Sequence, residues 1–207
     1  MFKLFKKNTE AEKQSNRLVF GVMLVAAVAA LGAAFVLTMD KMEVLRNPDA
    51  VLSCTINAVL DCSRVMHTWQ ASVFGFPNML IGMMAFPVVI TLAVAGLAGV
   101  KFPRKFMFAA EIGILLGTLF SLWLFLQSVF VIQILCPWCL LVTLTTTLML
   151  ASITYYNLRE NTFGLKKKYE EKVTAFLSKG YFQMVVAGWI VILTALVFLK
   201  FGADLFA

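Results

Sequence analysis

The sequence has few charged residues, one histidine and four cysteines. Of these shortages, the shortage of charge most narrows the possible class of protein. Charged residues make up 14% of its 207 residues, whereas a soluble domain carries nearer a quarter. Between Lys105 and Arg159 the only charged side chain is Glu111. A stretch of this length with so little charge excludes an ordinary soluble domain.

The chain also lacks the motifs of several common functions. It shows no haem, flavin or dinucleotide motif, no convincing internal repeat and no low-complexity tract. Its net charge of +7 does not indicate nucleic-acid binding, because lysines that flank membrane spans serve topology instead. Hydrophobic residues make up 61% of the chain, and the mean hydropathy is +0.87. These values predict an integral membrane protein without a nucleic-acid partner.

Five apolar stretches are long enough to cross a bilayer, which takes about 20 residues. They cover about 18–38, 77–100 and 181–200, with two more back to back between Lys105 and Arg159. Polar or helix-breaking residues mark where that long interval turns back, namely Gln127, Ser128, Gln133 and Pro137. No stretch alternates with the period of a barrel strand, and lipid does not tolerate unpaired backbone groups. We therefore predict an all-α membrane protein with five transmembrane helices.

The basic residues predict the orientation of these helices. All but four of them fall in residues 1–17, 101–105 and 159–179, which share one side if the spans alternate. Cytoplasmic loops carry the excess of lysine and arginine. We therefore expect a multi-pass protein of the cell (inner) membrane, with its N-terminus in the cytoplasm and its C-terminus outside. The first span reads as an uncleaved anchor, because its apolar core exceeds the roughly 7–15 residues of a signal peptide.

The predicted organisation has four parts. A cytoplasmic basic tail covers residues 1–17. A redox four-helix bundle covers 18–157 and includes an outer loop over 39–76. A cytoplasmic basic loop covers 158–180, and the fifth helix with a short outer tail covers 181–207. In the third span, Glu111 is expected to reach the interface or to pair with Lys105.

All four cysteines fall on the predicted outer side, where disulfides form and persist. Cys54 and Cys62 lie in the outer loop, whereas Cys136 and Cys139 lie at the start of the fourth span. A Cys-x-x-Cys pair at a helix start shares one face, and the helix dipole there favours the thiolate. Pro137 suits an early helical position, because its missing N–H would be unpaired there.

Two dithiol pairs on one face of a membrane suggest a relay of electrons. The loop pair can exchange with an external protein thiol and then with the fixed pair at the membrane edge. From the fixed pair, two electrons need a lipid-soluble acceptor, and a quinone is the natural one.

Two other interpretations stay open at this stage. Four cysteines could bind zinc, but eight positions separate Cys54 from Cys62, which exceeds the usual short ligand spacing, so we expect no metal. His67 is expected to be a solvated loop residue. Alternatively, two structural disulfides could staple a non-catalytic membrane scaffold or a transporter.

Three segments together resemble a known family. They are "CTINAVLDCSRV" with Cys54 and Cys62, "SVFGFPNMLIGMMAF" with Gly75-x-Pro77-Asn78-x3-Gly82, and "CPWC" at a helix start. In this order they resemble the vitamin K epoxide reductase family, in its bacterial, disulfide-generating branch. The resemblance covers roughly residues 18–157.

The resemblance implies a fold and a route for electrons. The fold is a four-helix bundle around a quinone (menaquinone or ubiquinone), capped by the outer loop and a short amphipathic helix. Electrons are expected to pass from a thioredoxin-fold partner to Cys54–Cys62, then to Cys136–Cys139, and then to the quinone for disulfide bond formation. In these roles Cys54 meets the partner, Cys62 exchanges with Cys136, and Cys139 faces the quinone.

The resemblance also implies supporting residues. Asn78 matches the family's hydrogen-bond donor to a quinone carbonyl, although its amide could equally satisfy local backbone. Ser72 matches a loop serine with a structural or supporting role, and Trp138 is expected to wall the quinone pocket.

Two departures from the family pattern narrow the expected substrate and partner. Animal enzymes that recycle the epoxide carry tyrosine four residues after the second active cysteine, where this chain has Thr143. Ordinary quinone is therefore expected, and quinone or vitamin K epoxide reduction as the main role is the alternative. No fused thioredoxin-like domain follows the fifth span, so the partner is expected to be a separate protein.

Overall fold

The structure, a computed structural model, describes residues 2–47, 52, 54–55 and 59–202, and for residues 2–13 it describes the backbone alone. Parts of the predicted outer loop (48–51, 53 and 56–58) and the predicted tail at 203–207 lie outside the described residues, as does Met1.

The described residues form helices and no strand. In chain order these are α1 (Phe2–Arg46), α2 (Cys62–Met66), a 3-10 helix (Trp69–Ser72), α3 (Met79–Leu97), α4 (Arg104–Leu126), a π-helix (Gln127–Ile132), α5 (Pro137–Arg159), α6 (Lys167–Ser178) and α7 (Tyr181–Phe201). Five of them are long and apolar enough to cross a membrane, if the π-helix is taken as the end of α4. The prediction of an all-α, multi-pass membrane protein is confirmed.

The bundle is built around α1, which packs along α3 on one side and along α5 on the other, while α4 packs along α5. The buried face of α1 includes five alanines, at positions 26, 27, 30, 33 and 34. Small residues let helix backbones approach closely in a membrane. Gly96 on α3 serves the same purpose, because a Cβ atom there would lie 2.5 Å from the ring of Phe20.

The predicted turn between the third and fourth spans lies where the polar residues indicate. The π-helix leads to Gln133, which has a left-handed backbone with φ of 56°. After it, Cys136 is the extended N-cap of α5 and Pro137 is its first residue. The side chain of Ser128 donates a hydrogen bond to the carbonyl of Ile134, which fixes the turn internally.

Two helices extend beyond what the apolar runs indicate. Helix α1 continues to Arg46, past the predicted end of the first span at residue 38, so Asp40 lies on a helix and not in a loop. Helix α6 forms within the predicted loop 158–180. Both helical segments are rich in charged side chains, so neither shows the apolar run from which the membrane helices were predicted.

At the end of the bundle opposite the cysteines, Glu111 lies in a polar cluster. Its carboxylate accepts hydrogen bonds from Thr154 Oγ1 at 2.8 Å and from Asn157 Nδ2. Asn157 also donates to the carbonyl of Met107 at 3.2 Å and is completely buried. The carboxylate thus binds two α5 side chains, so the expected pairing with Lys105 was wrong. Its reach to the interface stays a prediction.

Candidate redox site

The loop pair of cysteines is joined and anchored to the start of α2. Cys54 and Cys62 form a disulfide with their Cα atoms 5.7 Å apart. Cys62 is the first residue of α2, and Asp61 is the N-cap, whose Oδ1 accepts a hydrogen bond from the backbone N–H of Arg64 at 3.2 Å. The same oxygen accepts from Thr55 Oγ1 at 3.1 Å. Asp61 therefore ties the segment next to Cys54 to the helix that begins with Cys62.

A short backbone clamp holds this loop against the start of α5. Leu135 N–H donates to the carbonyl of Val59 at 2.8 Å, and Asp61 N–H donates to the carbonyl of Leu135 at 3.1 Å. The two bonds form an isolated parallel bridge between Leu60 and Leu135. Because Cys62 and Cys136 each follow a clamped residue, the clamp brings the two dithiol pairs together.

The sulfur atoms of Cys62 and Cys136 lie 3.4 Å apart. Cys62 is 0% exposed, Cys136 is 2% exposed and Cys54 is 5% exposed, so water is largely excluded from the exchange centre. The three sulfurs share one apolar cluster with Leu37, Val44, Leu52 and Met66. This arrangement allows thiol–disulfide exchange between the pairs without a cofactor.

Cys136 and Cys139 are free thiols on the first turn of α5. Cys136 Sγ accepts a hydrogen bond from the backbone N–H of Cys139 at 3.4 Å. The thiol of Cys139, acting as donor, lowers the pKa of Cys136 below its ordinary value. The backbone N–H groups of Cys139 and Trp138 lower it further, and burial opposes both. The helix start thus favours Cys136 as the thiolate of the pair.

A cavity of about 190 Å³ lies beside the cysteines, inside the bundle. Its wall is mainly apolar and comes from α1 to α5, the 3-10 helix and the π-helix. Three cysteines line it, Cys62, Cys136 and Cys139, and its polar side chains are Gln70, Asn78, Ser121, Ser128, Thr143 and Thr146. An apolar pocket with a few polar groups is typical of a small-molecule site.

The amide of Asn78 lines this cavity but also binds local backbone. Its Nδ2 donates to the carbonyl of Gln70 at 2.6 Å, and its Oδ1 accepts from the N–H of Val73 at 3.1 Å. Since an amide nitrogen has two protons, one remains for a ligand. The prediction from the family and the local alternative are therefore compatible.

The other predicted residues lie around the site. Trp138 packs against the apolar cysteine cluster and is not among the described residues that line the cavity. Ser72 ends the 3-10 helix, where its carbonyl accepts from the N–H of Gly75 at 3.1 Å. His67 is an exposed residue at the end of α2. Within the described part of the chain, no group of three or more His, Cys, Asp or Glu could hold a metal ion.

Several cavity residues were not predicted from the sequence. Gln70 donates to Gln127 Oε1 at 3.4 Å, which connects the 3-10 helix to the π-helix. The hydroxyls of Ser121 and Thr146 are 2.9 Å apart across α4 and α5. The spacing of Thr143 and Thr146, which puts both on one face of a helix, is the one signal that could have indicated these hydroxyls.

The family comparison agrees with this geometry. The model described as the vitamin K epoxide reductase family matches residues 21–154. The matched range contains all four cysteines and ends before α6 and α7. A search of curated proteins gave no match.

Proposed function

Since the chain belongs to the vitamin K epoxide reductase family, we propose that it reoxidises a separate, extracytoplasmic thioredoxin-fold protein and passes the electrons to a membrane quinone. The family makes it a membrane thiol–quinone oxidoreductase in general terms. The observation that carries the finer proposal is the 3.4 Å contact between the sulfurs of Cys62 and Cys136, one from each dithiol pair.

The first step of the relay is exchange with the partner. A thiolate of the reduced partner attacks Cys54, and Cys62 leaves as a thiolate. The second partner thiol then releases Cys54, which leaves the partner oxidised and the loop pair reduced. Cys54 is 5% exposed while it is docked beside Cys62. This step therefore requires the segment around Cys54 to open towards the partner.

The second step is the exchange between the two pairs. The Cys62 thiolate attacks Cys136 of an oxidised Cys136–Cys139 pair, and Cys139 leaves. Cys54 then attacks Cys62, which restores the loop disulfide and releases Cys136. The described arrangement, with Cys54–Cys62 bonded and both α5 thiols free, matches the product of this step.

The third step returns the α5 pair to the disulfide. The bound quinone accepts two electrons from the α5 pair, one proton from the Cys139 thiol and one proton from water. Cys139 lines the cavity, and the bond between Cys136 and Cys139 forms as the electron pair passes from Cys139 to the quinone. The lowered pKa of Cys136 supplies the thiolate for this closure.

The cavity supports a ring-binding site with named supporting residues. Asn78 is proposed to donate its remaining N–H to a carbonyl of the ring. Trp138 and Ser72 are proposed to support the site from outside the lining, by packing beside the cysteines and by ending the 3-10 helix. An isoprenoid tail is proposed to leave between α3 and α4, because α3 packs mainly along α1 and α4 along α5.

Ordinary quinone is proposed as the acceptor in preference to vitamin K epoxide. The Thr143 hydroxyl donates to the carbonyl of Cys139 at 3.0 Å. Its single proton is thus committed to the backbone, as is usual for threonine inside a helix. The side chain does not offer the phenolic donor that the epoxide-reducing animal enzymes have at this position.

Trapping of the internal mixed disulfide tests the proposed route. Cys54→Ala/Cys139→Ala keeps one thiol of each pair and removes both thiols that could resolve a bond between them. After oxidation with excess oxidised glutathione we expect a Cys62–Cys136 disulfide, detected by peptide mass spectrometry under non-reducing conditions after alkylation. The double variant Cys62→Ala/Cys139→Ala is the control and should lack this species. If Cys54→Ala/Cys139→Ala forms no Cys62–Cys136 disulfide, the two pairs do not exchange and the route is wrong.

A further inference from the structure

A carboxylate lies beside the sulfur that is proposed to meet the partner. Asp40 Oδ2 is 3.7 Å from Cys54 Sγ, near the end of α1 and half-buried. Its intermediate burial beside a reactive sulfur makes this carboxylate a candidate for a role in the exchange. Neither the cysteine motifs nor the proposed relay gives Asp40 a role.

We propose that Asp40 is the proton acceptor and donor for Cys54 during thiol–disulfide exchange. The inference rests on the proposed relay, and it adds a group that decides which thiol of the loop pair carries the proton. Oδ2 is close enough to take a hydrogen bond from a thiol at Cys54 once the disulfide is reduced.

The relay needs this discrimination between its two loop thiols. Cys62 must be the thiolate, because its sulfur is the one 3.4 Å from Cys136. Cys54 must keep its proton until the mixed disulfide Cys62–Cys136 has formed. A neighbouring carboxylate disfavours the thiolate and accepts a hydrogen bond from the thiol. Asp40 is thus placed to hold the proton on Cys54.

The proton then moves in step with the bonds. When the partner disulfide forms, Cys54 is released as a thiolate and takes a proton from Asp40. When Cys54 attacks Cys62, Asp40 takes that proton back, the Cys54–Cys62 bond forms, and the Cys62–Cys136 bond breaks. Cys136 leaves with the electron pair. The half-exposed carboxylate exchanges its proton with water between turnovers.

Among the described residues, the other charged groups around the loop pair are engaged elsewhere or face solvent. Lys41 on α1 donates from Nζ to the carbonyl of Met66 at 2.7 Å. Asp61 Oδ1 accepts from Thr55 and from the N–H of Arg64, whose side chain is exposed. From α5, Cys136 faces the same cluster, and the charge of Asp40 slightly opposes the lowering of its pKa.

The test measures the reactivity of Cys54 as a single loop thiol. The full-length protein carries Cys62→Ala, and the rate of Cys54 alkylation by iodoacetamide is followed against pH by peptide mass spectrometry. Three changes are compared in this background: Asp40→Asn, Asp40→Glu, and Glu43→Gln as the control. Glu43 is an exposed acid one turn further along the same helix.

Removal of a charge next to a thiol changes the balance between thiol and thiolate, and shifts of about one pH unit are common for such pairs. We expect Asp40→Asn to move the midpoint of the profile down by about one unit, with Cys54 reacting up to about tenfold faster below that midpoint. Asp40→Glu should restore the original midpoint, and Glu43→Gln should leave it unchanged. An unchanged midpoint in Asp40→Asn overturns the proposal.

A second measurement separates this inference from the relay itself. With dithiothreitol as the reductant and ubiquinone-1 as the acceptor, Asp40→Asn should slow turnover about a hundredfold, at the low end of general acid–base effects, and change its pH profile. Dithiothreitol turnover equal to wild type at every pH overturns the turnover role of Asp40. The wild-type protein could reduce no quinone while Asp40→Asn still shifts the alkylation midpoint of Cys54. That result would contradict the relay and support the interaction between Asp40 and Cys54.

Discussion

Cys62 and Cys136 are 74 positions apart in the chain, and their sulfur atoms lie 3.4 Å from each other. The contact depends on Leu135, whose N–H and carbonyl bind the loop on either side of Leu60. The bundle alone does not produce this contact, because Cys62 lies outside the membrane-spanning helices. The clamp therefore converts two separate dithiol pairs into one exchange centre.

The pH dependence of Cys136 follows from its hydrogen bonds. Because its pKa is lowered, we expect its thiolate to persist below the pH at which an ordinary cysteine, with a pKa of about 8.5, loses it, and to disappear as the pH falls through the lowered pKa. The background Cys54→Ala/Cys62→Ala leaves only the α5 pair. In that background, Cys139→Ala removes the thiol donor that contributes most to the lowered pKa of Cys136. The pH midpoint for formation of the Cys136 thiolate, measured by alkylation rates, should therefore move upwards. A midpoint that is unchanged by Cys139→Ala contradicts this account of the thiolate.

Filling the cavity should block the quinone without affecting the thiols. Gly117 lines the cavity, and a Cβ atom there meets no other atom within 4 Å. We expect Gly117→Leu to raise the KM for quinone at least tenfold, because the side chain occupies the space of the ring. Gly113→Leu is the matched control, since Gly113 is one turn earlier, has equally open space and is not part of the described lining. Equal KM values for the two variants would place the quinone elsewhere.

The polar cluster of Glu111 is expected to stabilise the bundle and not to take part in the reaction. Glu111→Ala removes the acceptor for Thr154 and Asn157, and a buried polar group left unpaired costs about 1–3 kcal/mol. We expect a lower Tm with the quinone reduction rate per folded molecule unchanged. Glu160→Ala, which removes an exposed acid from the end of α5, is the control and should leave Tm unchanged. A large loss of turnover at unchanged Tm would show that Glu111 acts in the reaction.

Replacement of Asn78 should change both the stability of the protein and its binding of quinone. Asn78→Ala removes the bonds to Gln70 and Val73 as well as the proposed donor to the quinone. We therefore expect both a lower Tm and a higher KM for quinone. Asn78→Ser, which keeps a short polar side chain, tests the local part. If KM is unchanged in both variants while Tm falls, Asn78 serves only the backbone of the loop.

Much of the bundle could be predicted, because membrane spans have local signals. The apolar runs located the five helices, and Gln133 and Pro137 marked the turn before α5 with Cys136 at its start. These features depend on a few consecutive residues. Because backbone polar groups must be paired in lipid, each apolar run of this length is expected to form a helix.

The features that complete the site depend on contacts between distant segments. No local pattern indicates that Leu135 pairs with the loop around Leu60, or that Asp40 lies beside Cys54. The predicted pairing of Glu111 with Lys105 was wrong for the same reason, since its partners Thr154 and Asn157 are more than 40 positions away and no sequence pattern marks them. The site roles of the cysteines and of Asn78 stay predictions until they are tested.

The most direct test of the proposed function is anaerobic quinone reduction by a reduced thioredoxin-fold protein, with wild type compared with Cys139→Ala. Cys139 lines the cavity, and in the proposed route it is the last thiol before the quinone. We predict that the wild-type protein reduces the quinone and that Cys139→Ala does so at less than about a hundredth of that rate, the lower range expected when a reacting group is lost. Reduction by Cys139→Ala at the wild-type rate would contradict the proposed route of the electrons.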